Sequence, residues 1–155
     1  MEKNEKTIEV LNDLIRINND RIEGYEKAVK DSKEEDTDLR GIFTRMADES
    51  RNYKRELTDQ VNRLGGDPAS NTTQSGKIYR VWMDLKSAVA GKGRQSVLEL
   101  CEFGEDAAQK AYEKALDESD ALPPDIRTVI QKEKDSLRSS HDTIKNYRDI
   151  ERKSK

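Results

Sequence analysis

The sequence predicts an all-α protein, a bundle of four long helices with one long crossover, and three observations predict it. Apolar residues recur at helical spacing through most of the chain. Stop signals are few: the three prolines and eight glycines are bunched rather than scattered. Only 32% of the residues are apolar and 39% are charged, as in long helices with much surface. A mean hydropathy of −1.05 would also suit a disordered chain, and the periodicity decides between the two.

The first helix, α1, is expected over residues 4–31 with Asn4 as its N-cap. Its stripe is Ile8, Leu11, Ile15, Ile22, Tyr25 and Val29, widened by Leu14 and Ala28. The polar turn EEDTD (34–38) precedes α2, expected over 37–64, with Asp36 or Thr37 capping it. Leu39, Ile42, Phe43, Met46, Tyr53, Leu57, Val61 and Leu64 line one side of α2. "LGGDP" (64–68) ends it: Gly65 or Gly66 takes the left-handed conformation and Pro68 blocks resumption. A short α3, expected over 76–90, puts Ile78, Val81, Trp82, Leu85 and Val89 on one face and breaks at Gly91 and Gly93. The stripe of α4 (94–118) is Val97, Leu98, Cys101, Ala108, Ala111, Tyr112 and Ala115. "ALPPD" (121–125) separates it from α5 (124–152), because proline suits a first helical turn. Ile126, Val129, Ile130, Leu137, Ile144 and Tyr147 form the last stripe. The 155 residues make a single domain.

Connection lengths set the topology. The α1–α2 and α4–α5 links are short and require antiparallel neighbours. Residues 65–93 are long enough, with α3, to return along a bundle of roughly 40 Å. One long crossover with two short loops is the ferritin-like arrangement; an up-down bundle with α3 folded back is the alternative.

Charge and motifs exclude several classes of function. The 29 Lys and Arg nearly balance 32 Asp and Glu, for a net charge of −3, and no basic tract stands out. Neither nucleic acid nor an anionic membrane is an expected partner. No apolar run approaches a bilayer span, and MEKNEKTIEV has neither the apolar core of a signal peptide nor a lipidation motif. A cytoplasmic protein is expected. Cys101 is the single cysteine, so there is no disulfide framework and no cysteine-based zinc site. "AGKGRQS" lacks the phosphate-loop pattern and reads as a helix break.

A ferritin-like dinuclear metal centre needs a Glu from each of two helices and Glu-x-x-His from each of the other two, since three-residue spacing stacks both ligands on one face. At mid-helix α2 points Ser50 and Tyr53 inward, with Glu49 on the flank. In α5 Arg138 stands three residues before His141, the single histidine. The inward Glu133 lies eight residues before it, about 12 Å along the axis and too far to share one ion. In α4, Glu105 is on the inward flank and Glu102 further out; in α1, Asn18 is central and Glu26 lies on the flank. Asn18, Ser50, Tyr53, Glu105 and Glu133 then fall at one height, within roughly 10 Å. They read as a buried polar layer that fixes helix register, with no metal, no cofactor and no catalytic residue. The competing reading is a weak metal site of Glu105 and Glu133, joined by Glu26 or His141. His141 itself reads as a flank residue near one end of the core. Tyr79 and Trp82 read as packing of the crossover, with a small-molecule site beneath it as the alternative, and Cys101 as a buried apolar side chain.

Several segments together resemble an uncharacterised bacterial family of ferritin-like four-helix-bundle proteins defined by a domain of unknown function. They are "LNDLI" (11–15), "GYEKA" (24–28), "LGGDP" (64–68), "YRVWMDLKSAVAGK" (79–92), "CEFGEDAAQKAYEKAL" (101–116), "LPPDIRTVI" (122–130) and "HDTIK" (141–145). The chain departs from that pattern at Tyr79, where His is frequent, and at Phe103, where Arg is usual. The resemblance implies a ferritin-like bundle and no particular activity. The expected protein is therefore a non-enzymatic bundle acting through protein association, with a homodimer and a stress-related setting as expectations.

Overall fold

A computed structural model of the chain describes residues 2–73, 79–85, 93–117 and 122–153. Four long helices account for most of them: α1 Glu2–Asp31, α2 Thr37–Arg63, α4 Arg94–Asp117 and α5 Pro124–Lys153. Residues 79–85, inside the expected α3, are helical, and no strand occurs among the described residues. The remainder of α3, with Ile78, Val89 and the break at Gly91, lies outside the described residues, as does Glu118. No described helix is long and apolar enough to cross a membrane.

The helix ends correct two expectations. Asn4 lies inside α1 rather than capping it, because Glu2 and Lys3 are good helix formers and extend the helix past it. Asp36 does occupy the α2 N-cap, yet its side chain makes no capping bond; Arg94 Nη1 holds it instead, at 2.8 Å. At the other end "LGGDP" behaves as the sequence predicts. Gly65 has φ +81°, its N–H donates to Asn62 O at 3.0 Å, and Gly66 N–H donates to Val61 O at 3.0 Å. Those paired bonds satisfy the last carbonyls of α2.

Cross-helix contacts fix the directions. Asn18 and Arg21 of α1 meet Ser50 and Met46 of α2, while Tyr25 stacks on Phe43. The same two α1 residues meet Tyr112 and Glu105 of α4. Glu49 and Tyr53 of α2 meet Ser140 and Ser136 of α5, and Asp106 and Tyr112 of α4 meet His141 and Glu133. In each pair, numbers rise on one helix as they fall on the other, so every neighbouring pair is antiparallel. Consequently α2 and α4 run the same way, and the chain between them must travel the length of the bundle.

A polar ladder on the outer face of α1 holds the start of that return. Asn12 Nδ2 donates to Asp67 O at 3.0 Å, and Ala69 N–H donates to Asn12 Oδ1 at 2.8 Å. Arg16 Nε reaches Asn71 Oδ1 at 3.1 Å, and Asn19 Nδ2 reaches Asn71 O at 2.8 Å. Asp20 accepts from the N–H and hydroxyl of Thr73 at 3.2 and 2.5 Å. Spacing of four, three and one residues keeps these side chains on adjacent faces. Covered by core inside and crossover outside, residues 17–22 are all buried. Arg94 closes the far end, joining Asp36, Asp38 and Glu151 at 2.8, 2.7 and 2.7 Å.

Two apolar clusters fill the bundle. One gathers Tyr25, Phe43, Met46, Trp82, Leu98 and Cys101. The other gathers Leu11, Ile15, Leu57, Val61, Tyr112 and Ile130. Trp82 locks the crossover onto the first. A Cβ placed on Gly24 would come 2.8 Å from the indole, and one on Gly104 would come 2.7 Å from it. Only glycine at both positions admits the ring.

Candidate functional site

Between the two apolar clusters lies a polar layer to which all four long helices contribute. Its centre is Arg21, a residue the sequence reading passed over. It sits three residues after Asn18 and four before Tyr25, so helical spacing places all three on one face. The side chain is fully buried. Nε donates to Glu105 Oε2 at 2.9 Å and Nη2 to Oε1 at 2.6 Å, a two-pronged pair with a buried carboxylate. Nη1 donates to Met46 O at 3.0 Å and to Ser50 Oγ at 2.9 Å. Tyr25 adds its hydroxyl to Glu105 Oε1 at 3.2 Å, and its ring lies 5.4 Å from the guanidinium carbon. A second carboxylate, Glu49, stands 3.6 Å from Nη2 and is itself held by the Ser140 hydroxyl at 2.7 Å.

From Arg21 a continuous chain of hydrogen bonds crosses the bundle. Ser50 Oγ donates to Asn18 Oδ1 at 2.9 Å. Asn18 Nδ2 donates to Leu14 O at 2.8 Å and to the Tyr112 hydroxyl at 2.9 Å. Tyr112 in turn donates to Glu133 Oε1 at 2.7 Å. Four of the five residues placed at this height from the sequence, Asn18, Ser50, Glu105 and Glu133, therefore belong to one network. The fifth, Tyr53, sits beside it and bonds to the Ser136 hydroxyl.

The two buried carboxyl groups of the layer differ in their partners. Burial opposes the charge of Arg21, but the adjoining Glu105 carboxylate outweighs it and the guanidinium stays firmly protonated. Among the described residues no cation pairs with Glu133. Burial, with the Glu56 carboxylate beside it, pushes its pKa up to about 9, against the bond from Tyr112. It is a neutral acid at pH 7. Its Oε2 is buried and meets no hydrogen-bond partner among the described residues.

This arrangement does not fit the dinuclear centre of a metal-bearing bundle. A guanidinium already occupies the carboxylate of Glu105, Tyr112 donates to that of Glu133, and α2 offers Ser50 and Tyr53 at this level in place of Glu-x-x-His. The weak-site candidates are also dispersed among separate partners: Glu105 on Arg21, Glu133 on Tyr112, Glu26 on Arg51 at 2.6 Å, and His141 on Asp106 at 2.7 Å. Cys101 is buried, and burial with the nearby Glu105 holds its thiol well above the ordinary range.

A family model described as a domain of unknown function (DUF2383) matches residues 6–118, well over half of the chain. No curated protein matches it.

Proposed function

The chain belongs to this DUF2383 family, and from that premise we propose that it is a non-enzymatic, ferritin-like bundle that acts through association with protein surfaces, its own copies included. The observation that carries the reading is Arg21. A fixed, fully paired guanidinium stands at the height where a ferritin-like bundle would hold its metals, and it neutralises the carboxylate they would need. The return of the crossover along α1 supports the ferritin-like topology. Phe103 and Ile150 support association: both are large apolar side chains left exposed on α4 and α5, and Phe103 replaces the Arg usual in the resembling family. The bacterial, cytoplasmic and stress-related setting belongs to the same proposal.

The test is metal loading of the chelator-stripped protein with Fe(II) or Mn(II), followed by elemental analysis of the wild type, Glu105→Gln and Glu133→Ala. The proposal expects no metal that depends on either carboxylate. Stoichiometric metal lost in Glu133→Ala would instead establish a mid-bundle centre. Sedimentation velocity tests the association half: a concentration-dependent dimer that Phe103→Asp returns to monomer is expected, and a monomer at every concentration contradicts it.

A further inference from the structure

We propose that Glu102, Asp106 and His141 bind one divalent transition-metal ion, with zinc preferred over manganese, on the outer face of the α4–α5 pair. Glu102 and Asp106 are four residues apart on α4 and so share a face. Antiparallel α5 brings His141 opposite them. One ligand atom from each of the three lies within 4.8 Å of the others. With metal–nitrogen and metal–oxygen bonds of about 2.0–2.2 Å, a tetrahedral shell puts two donors about 3.4 Å apart, so side-chain rotation must draw the set together by up to about 1.4 Å. Side-chain exposures of 18% for His141, 16% for Glu102 and 47% for Asp106 leave the rotamer freedom to do so.

The imidazole is oriented from outside the set. Nδ1 faces Asp142 Oδ1 at 3.3 Å while Nε2 points to Asp106 Oδ1 at 2.7 Å. A carboxylate behind one ring nitrogen is the usual support of a metal-bound histidine, because it fixes the ring and the tautomer that presents the other nitrogen. Beside the donors, a cavity of about 210 Å³ lined by Glu99, Glu102, Phe103, Asp106, Arg148 and Arg152 leaves space for water to complete the coordination. Arg148 now pairs with Glu102, yet its Nη2 also holds Asp149 at 2.9 Å, so releasing Glu102 to an ion does not strand the guanidinium. One imidazole and two carboxylates suit a borderline ion and disfavour calcium or magnesium, which prefer all-oxygen shells. Among borderline ions, zinc stands above manganese in the general affinity order.

Isothermal titration of the chelator-stripped, full-length chain with zinc chloride tests the site, with manganese chloride as comparison. The proposal expects one zinc per chain, bound more tightly than manganese. It expects at least a tenfold loss of affinity in His141→Ala and in Asp106→Asn, whose surface positions spare the fold. Glu133→Gln, in the interior, should leave the titration unchanged. Absence of zinc binding, or binding that survives both surface substitutions at full affinity, overturns it. Because Glu133 and His141 are varied separately, failure here is distinguishable from failure of the non-metal reading of the interior.

Discussion

Glu105 and Asp106 are neighbours in sequence and belong to opposite electrostatic worlds. Glu105 turns into the bundle, loses all contact with water and is gripped by a guanidinium through two bonds. Asp106 turns to the edge of α4, keeps about half its exposure and meets an imidazole through one bond. Interior charges lose so much solvation that they persist only with complete partners, and removing one partner is severe. Charges at the surface are solvated as well as paired, so their partners are exchangeable. The difference teaches where this fold can spare a ligand. The interior pair is committed to holding helices together; the outer cluster is free to accept something else.

The largest effect should come from breaking the interior side of the comparison. Glu105→Gln leaves the buried Arg21 charge with only the more distant Glu49 carboxylate, 3.6 Å from Nη2, and should destabilise the protein by about 3–5 kcal/mol in urea unfolding. A loss below about 1 kcal/mol would mean that water reaches Arg21 and that interior and surface are alike.

A second test separates the two interior carboxyl groups by pH. Glu133 has an ordinary pKa of 4.5 and is pushed up to about 9 in the fold. Between those values the folded chain keeps a proton that the unfolded chain releases, so the stability contribution is full below the lower value and falls as pH rises through the upper. Glu133→Gln still accepts from Tyr112 and cannot ionise. Its unfolding midpoint should therefore rise relative to the wild type across that window, most at the alkaline end. Parallel pH profiles for the two proteins would contradict the neutral state of Glu133.

The smallest effect belongs to the surface. Asp106→Asn should change stability by less than about 1 kcal/mol, because its partner stays hydrated. A change as large as that of Glu105→Gln would erase the contrast.

What the sequence could and could not reveal follows the same division between inside and outside. Helix stripes and stop signals are local, so "LGGDP" announced the end of α2 and the paired prolines the start of α5 directly. Axial arithmetic placed Asn18, Ser50, Glu105 and Glu133 together because a helix rises uniformly. Arg21 shares the Asn18 and Tyr25 stripe, and that spacing was the available signal; its charge hid it, since arginine on a helix ordinarily reaches for water. The partners of His141 were missed for another reason. They sit on α4, and a ligand search by spacing within one helix cannot see across a helix pair. Asn12, Arg16, Asn19 and Asp20 are the polar residues expected of a wet helix face, and the returning crossover bonds all four and buries Asn19 and Asp20.

The central claim is that Arg21 and Glu105 act as one unit, a built-in cation and its carboxylate at the heart of the bundle. A double-mutant cycle in urea with Arg21→Met, Glu105→Gln and the double variant measures it most directly. The account predicts strong coupling, on the order of 2–3 kcal/mol, with the double variant more stable than either single one predicts by addition. Additive losses, with the double variant as unstable as the sum of the two, would contradict it.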